Sequence, residues 1–104
     1  MARYDVYANP FADERSHTPY VLDIQNDHLG PIGSRVVIPL RTPRGFGTPA
    51  RDLNPLLEVD GKSVVLDTAS LASVAAALLK RPVSRVDRFR GDIGSALDTL
   101  FGSF

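Results

Sequence analysis

Cysteine and tryptophan are absent from this sequence, methionine occurs once and histidine twice. Without cysteine the chain forms no disulfide and no thiolate metal site, which fits a reducing compartment. No apolar run approaches the roughly 20 residues that span a bilayer. The opening MARYDVYANP lacks the apolar stretch of a signal peptide. A soluble, cytoplasmic protein with no membrane partner is expected. An excess of one charge is missing too: 12 Lys and Arg balance 12 Asp and Glu, whereas a protein that binds nucleic acid alone carries a basic balance. The glycine-bearing PRGFGTP at 43–49 has neither phosphate-loop nor dinucleotide spacing. No serine stands in a nucleophile-elbow context. His17 and His28 fall in predicted loops, and the adjacent pair Asp27–His28 reads as a solvated turn. No metal, cofactor or catalytic residue is therefore expected, although a ribonuclease built on one Arg and one acid or hydroxyl would leave no motif.

What is present is an ordinary globular composition, 43% apolar and 23% charged, enough for one core in a single domain over residues 1–104. The charges are unevenly spread. Residues 1–34 hold Asp5, Asp13, Glu14, Asp23 and Asp27 against Arg3 and Arg15. Residues 80–90 hold Lys80, Arg81, Arg85, Arg88 and Arg90 against Asp87 alone. That segment is either a solvated surface or a basic face for an acidic protein partner.

Short β-type stretches fill most of the chain. RYDVY at 3–7 alternates, with Tyr7 at an edge, and NPFADERSHTP at 9–19 reads as a long hairpin loop. YVLDIQ at 20–25 predicts a strand with Leu22 and Ile24 inward and Asp23 outward. VVIPL at 36–40 predicts another, in which Pro39 marks an edge, a bulge or an end. RTPRGFGTPARD at 41–52 is a loop by composition. Two apolar runs then flank Asp60-Gly61, a tight hairpin turn. ASLASVAAALL at 69–79 is compatible with helix or with short strands. From Ser84, a candidate cap, Val86, Phe89, Ile93, Leu97 and Leu100 recur at helical spacing. Gly91 and Gly94 weaken that helix by about 1 kcal/mol each, and close packing on a sheet would explain them. The fold class is α+β, mostly β, ending in one amphipathic helix. Its last residues, DTLFGSF at 98–104, put Leu100, Phe101 and Phe104 at a chain end, where chains usually fray.

In order, Val6-Tyr7, DIQND at 23–27, GSRVVIPL at 33–40, LNPLLEVDGKSVVLDT at 53–68, LASV at 71–74 and DIGSALDTLF at 92–101 resemble the CcdB toxins of bacterial type II toxin–antitoxin systems. The resemblance runs through nearly the whole chain. It implies an SH3-like barrel of antiparallel strands with a small extra sheet and a C-terminal α-helix near a homodimer axis. It also implies a non-enzymatic poison that binds the DNA gyrase A subunit and traps it on cleaved DNA. A cognate antitoxin with an acidic, disordered tail would neutralise it, and the pair would reach operator DNA through the antitoxin. Carried across residue by residue, the gyrase-binding tip is Leu100, Phe101, Gly102, Ser103 and Phe104, with glycine at 102 where the family has tryptophan. Asp98, Asn26, His28, Tyr4 and Tyr7 would line the same surface. Arg35, Arg41 and Arg44 are the candidate antitoxin contacts. Two other readings share this architecture: an endoribonuclease toxin of the MazF/Kid kind, cutting RNA with loop arginines such as Arg35 or Arg44, and a non-toxic co-repressor partner of the antitoxin.

Overall fold

The computed structural model describes residues 1–29 and 32–102. Seven strands, β1 (Asp5–Ala8), β2 (Tyr20–Asp23), β3 (Ser34–Arg41), β4 (Leu56–Val59), β5 (Lys62–Leu66), β6 (Ala72–Ala75) and β7 (Ser84–Arg85), form one antiparallel sheet. Its order is β4-β5-β3-β2-β1-β7, with β6 also on β3. The sheet curls into a nearly closed barrel, and α2 (Arg90–Phe101) follows at the C-terminus. The smaller sheet implied by the resemblance is not separate, because β4 and β5 join the rest through the pairing of β5 with Leu40 and Arg41. A short helix, α1 (Pro43–Phe46), interrupts the predicted 41–52 loop.

Pro39 lies inside β3, and the pairing shows how the strand accommodates it. Ile24 N–H donates to Val36 C=O at 3.1 Å, so alternation makes Val21 and Pro39 a pair without mutual hydrogen bonds. The missing N–H of Pro39 therefore faces the other neighbour. On that side β6 pairs with residues 34–37 and β5 begins only at Leu40. There the C=O of Pro39 accepts from Asp67 N–H at 3.0 Å, just past the last residue of β5, and the N–H that it lacks falls at the end of that pairing rather than within it.

The β4–β5 hairpin forms as its turn residues dictate. Asp60 and Gly61 have φ of 51° and 78°, both positive, as a two-residue primed turn requires. Inward positions of the barrel, Val6, Leu22, Ile38, Leu40, Leu57, Val59 and Leu66, make the main core with Val86, Ile93 and Ala96. A second cluster of Tyr7, Val21, Val37 and Leu79, flanked by Val74, covers the opposite face of β1, β2 and β3.

Four expectations from the sequence differ from the structure. Asp23 does lie on the face opposite Leu22, but that face is covered and Asp23 is 0% exposed. Tyr7 sits not at an edge but within the second cluster. Ser84 caps no helix: it pairs with Val6 in β7, a 3-10 turn covers Asp87–Phe89, and α2 begins only at Arg90. Tertiary pairing with β1 has overridden a local capping signal. Gly91 and Gly94 are also not close-packing sites, since a Cβ on either would meet no atom within 4 Å.

Candidate protein-binding site

The C-terminal end of α2 is built from an amphipathic pattern that buries one side only. Ile93 and Ala96 enter the core, Leu97 packs against it, and Leu100 is half-buried. Phe101 is the next residue on the stripe and is left 70% exposed. The helix stops there because Gly102 takes a left-handed conformation, φ 72° and ψ 70°, and donates its N–H to the Asp98 carbonyl at 2.8 Å. Glycine is favoured at such a cap because a Cβ is strained at positive φ. Asp98 itself is exposed. Ser103 and Phe104 lie outside the described residues.

A second group forms around the turn at 23–28. Tyr4, at φ 75°, bends the chain so that its N–H donates to Asp23 C=O at 2.7 Å while its own carbonyl accepts from Val86 N–H at 3.0 Å. The Arg3 guanidinium covers its ring at 5.2 Å. Asn26 and His28 are exposed in the turn, and Asn26 Oδ1 accepts from His28 N–H at 2.9 Å. Asp27 Oδ1 accepts from Arg3 N–H at 2.8 Å, which ties the turn to the start of β1. Backbone contacts thus set Tyr4 beside the turn that carries Asn26 and His28, whereas Tyr7, 1% exposed, is buried in the second cluster and is not part of that surface. The elements packed against α2 are instead the turns at 68–70 and 87–89.

Arg35 anchors this second group. Its Nε donates to Asp23 Oδ2 at 2.8 Å, its Nη2 lies 2.7 Å from the same oxygen, and Asp27 Oδ1 is 3.8 Å away. At 8% exposure, Arg35 commits its charge to the fold. Asp23 also accepts from Gln25 N–H at 2.9 Å. Burial nevertheless pushes the Asp23 carboxyl above its ordinary pKa, against the lowering by that amide and by Arg35. Burial likewise lifts the Tyr7 phenol, helped by the carboxylates of Asp5 and Asp23, from 10.0 to about 12.

The three arginines named for one partner do not share a place. Arg35 and Arg41 are six residues apart on β3, roughly 20 Å at about 3.3 Å per residue. Arg41 Nη1 sits 3.4 Å from Asp67 Oδ2 and its guanidinium 5.6 Å from the Phe46 ring, while Arg44 is exposed on α1. Asp23, Gln25 and Asp27 escaped the sequence reasoning. The only signal was a carboxylate inside an apolar strand, which reads as a solvent-facing position until the covering face is known. Among the described residues no three His, Asp or Glu side chains gather to hold a metal, and no helix is long and apolar enough to cross a membrane.

One comparison bears on all of this. The family model described as CcdB protein matches residues 3–102, nearly the whole chain.

Proposed function

The chain belongs to the CcdB family, the toxins of toxin–antitoxin systems, and from that premise we propose that it poisons DNA gyrase by binding the A subunit. It acts by binding rather than catalysis, as a homodimer, with the end of α2 as the contact. The observation that carries this reading is the bare ring of Phe101, 70% exposed at the last turn of the helix. A large aromatic in solvent at the tip of an otherwise packed element fits an interface anchor. Glycine stands at 102, where the family has tryptophan, and takes a left-handed cap; the ring left exposed among the described residues is that of Phe101, which matches the family's own phenylalanine. The turn carrying Asn26 and His28, fixed by Asp27 and Arg3, is a second, polar surface that a large partner could touch separately. The antitoxin's acidic tail reaches exposed Arg44 and half-buried Arg41, while Arg35 holds the fold beneath. Autoregulation follows in the same way, with the toxin riding on the operator-bound antitoxin in the cytoplasm.

Titrating the purified chain into a gyrase supercoiling reaction, beside an RNA substrate without gyrase, tests this reading. Inhibition of supercoiling with intact RNA is the expected result. Cleaved RNA with unaffected gyrase would replace the reading with a ribonuclease. Deleting Gly102–Phe104 should abolish inhibition and leave antitoxin binding intact.

A further inference from the structure

β4 stands last in the strand order and, among the described residues, pairs with β5 alone. Leu66 N–H donates to Pro55 C=O at 3.0 Å, so Pro55 and Leu66 face each other at a hydrogen-bonded position. Alternation then points the N–H and C=O of Leu56 and Glu58 away from β5, toward the outer side of β4. Leu56 is 56% exposed although apolar, and Glu58 is exposed with it.

Arg88 reaches onto this edge. Its Nη2 donates to Glu58 C=O at 3.1 Å and its guanidinium lies 3.9 Å from Glu58 Oε2. The same guanidinium covers the Phe89 ring at 4.8 Å, and Phe89 packs against the main core. Phe89 N–H in turn donates to Val86 C=O at 2.9 Å, which fixes the turn that carries both residues. The guanidinium is therefore held in front of the Glu58 carbonyl. Both side chains of the ion pair are more than half exposed, and such surface pairs contribute little to stability. What the contact does is fill an outward-facing acceptor of the strand.

A sheet edge with outward N–H and C=O groups and an exposed leucine is a template for another strand. The strand that fits best is β4 of a second copy, because this edge is complementary to itself. A two-fold axis at Leu57 sets Leu56 of each copy opposite Glu58 of the other, and each such position exchanges a pair of hydrogen bonds. Half of those bonds would end on a Glu58 C=O, where Arg88 stands in the approach. The chain has no net charge to keep copies apart, with 12 Lys and Arg against 12 Asp and Glu. We infer that Arg88 guards the β4 edge, blocking its antiparallel pairing with β4 of a second copy. The guard is independent of the gyrase reading, since it acts on whatever state of assembly the wild type holds.

Arg88→Met keeps an apolar stem over the Phe89 ring and removes the donor. Arg90→Met is the control, since Arg90 is exposed and takes part in none of the ion pairs among the described residues. Light scattering along a dilution series of the full chain reads the mass of each protein. Wild type and Arg90→Met should keep one common mass, and Arg88→Met should exceed it by about twofold or more at the concentrated end. Adding Leu56→Lys to Arg88→Met should restore the wild-type mass, because a charged side chain on an edge opposes strand pairing. Hydrogen exchange locates the contact: the Leu56 and Glu58 amides of Arg88→Met should slow as concentration rises, and those of the wild type should not. Equal masses of Arg88→Met and wild type, or equal association of Arg90→Met, would overturn the inference. So would amides at 56 and 58 that stay unprotected, or association that survives Leu56→Lys, as aggregation of a misfolded chain would.

Discussion

Tyr7 and the pair Asp23–Arg35 show how the barrel spends buried polarity next to the candidate surface. The Tyr7 hydroxyl is buried without a hydrogen-bond partner among the described residues, and its pKa is lifted from 10.0 to about 12. The native state holds this proton after the unfolded chain has lost it, so the unfolded chain gains as pH rises between those values. Urea midpoints of the wild type should therefore fall from about pH 10 to about pH 12 relative to those of Tyr7→Phe. At neutral pH Tyr7→Phe should be at least as stable as the wild type, since the hydroxyl makes no bond to lose and its burial is uncompensated. Parallel alkaline profiles would show that Tyr7 is solvated. Asp23 shifts upward too, so its ionisation costs stability as pH rises just above its ordinary pKa of 3.8, and Arg35 offsets part of that cost. Removing Arg35 alone leaves a buried carboxylate without its cation. Arg35→Ala should cost about 3–5 kcal/mol in chemical denaturation, and Asp23→Leu/Arg35→Met should cost clearly less. A double variant as damaged as the single would mean that the pair contributes net stability.

The elements divide into those whose shape is local and those that depend on distant chain. The β4–β5 hairpin was legible because Asp60-Gly61 specifies its own turn, and the 93–100 stripe of α2 because its period is intrinsic. The start of α2 was not legible: Ser84 looks like a cap only while the strand that claims it, β1, is out of view. Asp23 misled for the same reason, since alternation fixes which face a side chain takes but not what covers it. The resemblance named the tip at Leu100 and Phe101 and the turn at Asn26 and His28 as the contact, a reading that the gyrase experiment tests. That Arg35 is spent on Asp23 could not be, because the two lie on different strands. Gly91 and Gly94 follow from the observed helix. With nothing for a Cβ to meet, Gly91→Ala and Gly94→Ala should each stabilise by about 0.5–1 kcal/mol. Gly102→Ala, at φ 72°, should instead destabilise by about 1 kcal/mol. Thermal unfolding of the three variants checks both signs; a loss at Gly91 or Gly94 would mean that another surface packs there.

At the scale of the whole molecule, the barrel holds two surfaces fixed relative to one core: the end of α2 and the turn at 23–28. Family membership makes the chain a toxin of a toxin–antitoxin system, and the reading proposed above puts its poison contact at the exposed ring of Phe101. The most direct measurement is the yield of gyrase-linked cleaved DNA on adding the wild type or Phe101→Ala. Wild type should accumulate the cleaved complex, and Phe101→Ala should need about 30-fold more protein for the same yield, the cost of losing an aromatic anchor. Equal yields from the two proteins, or no cleaved complex from either, would contradict the account.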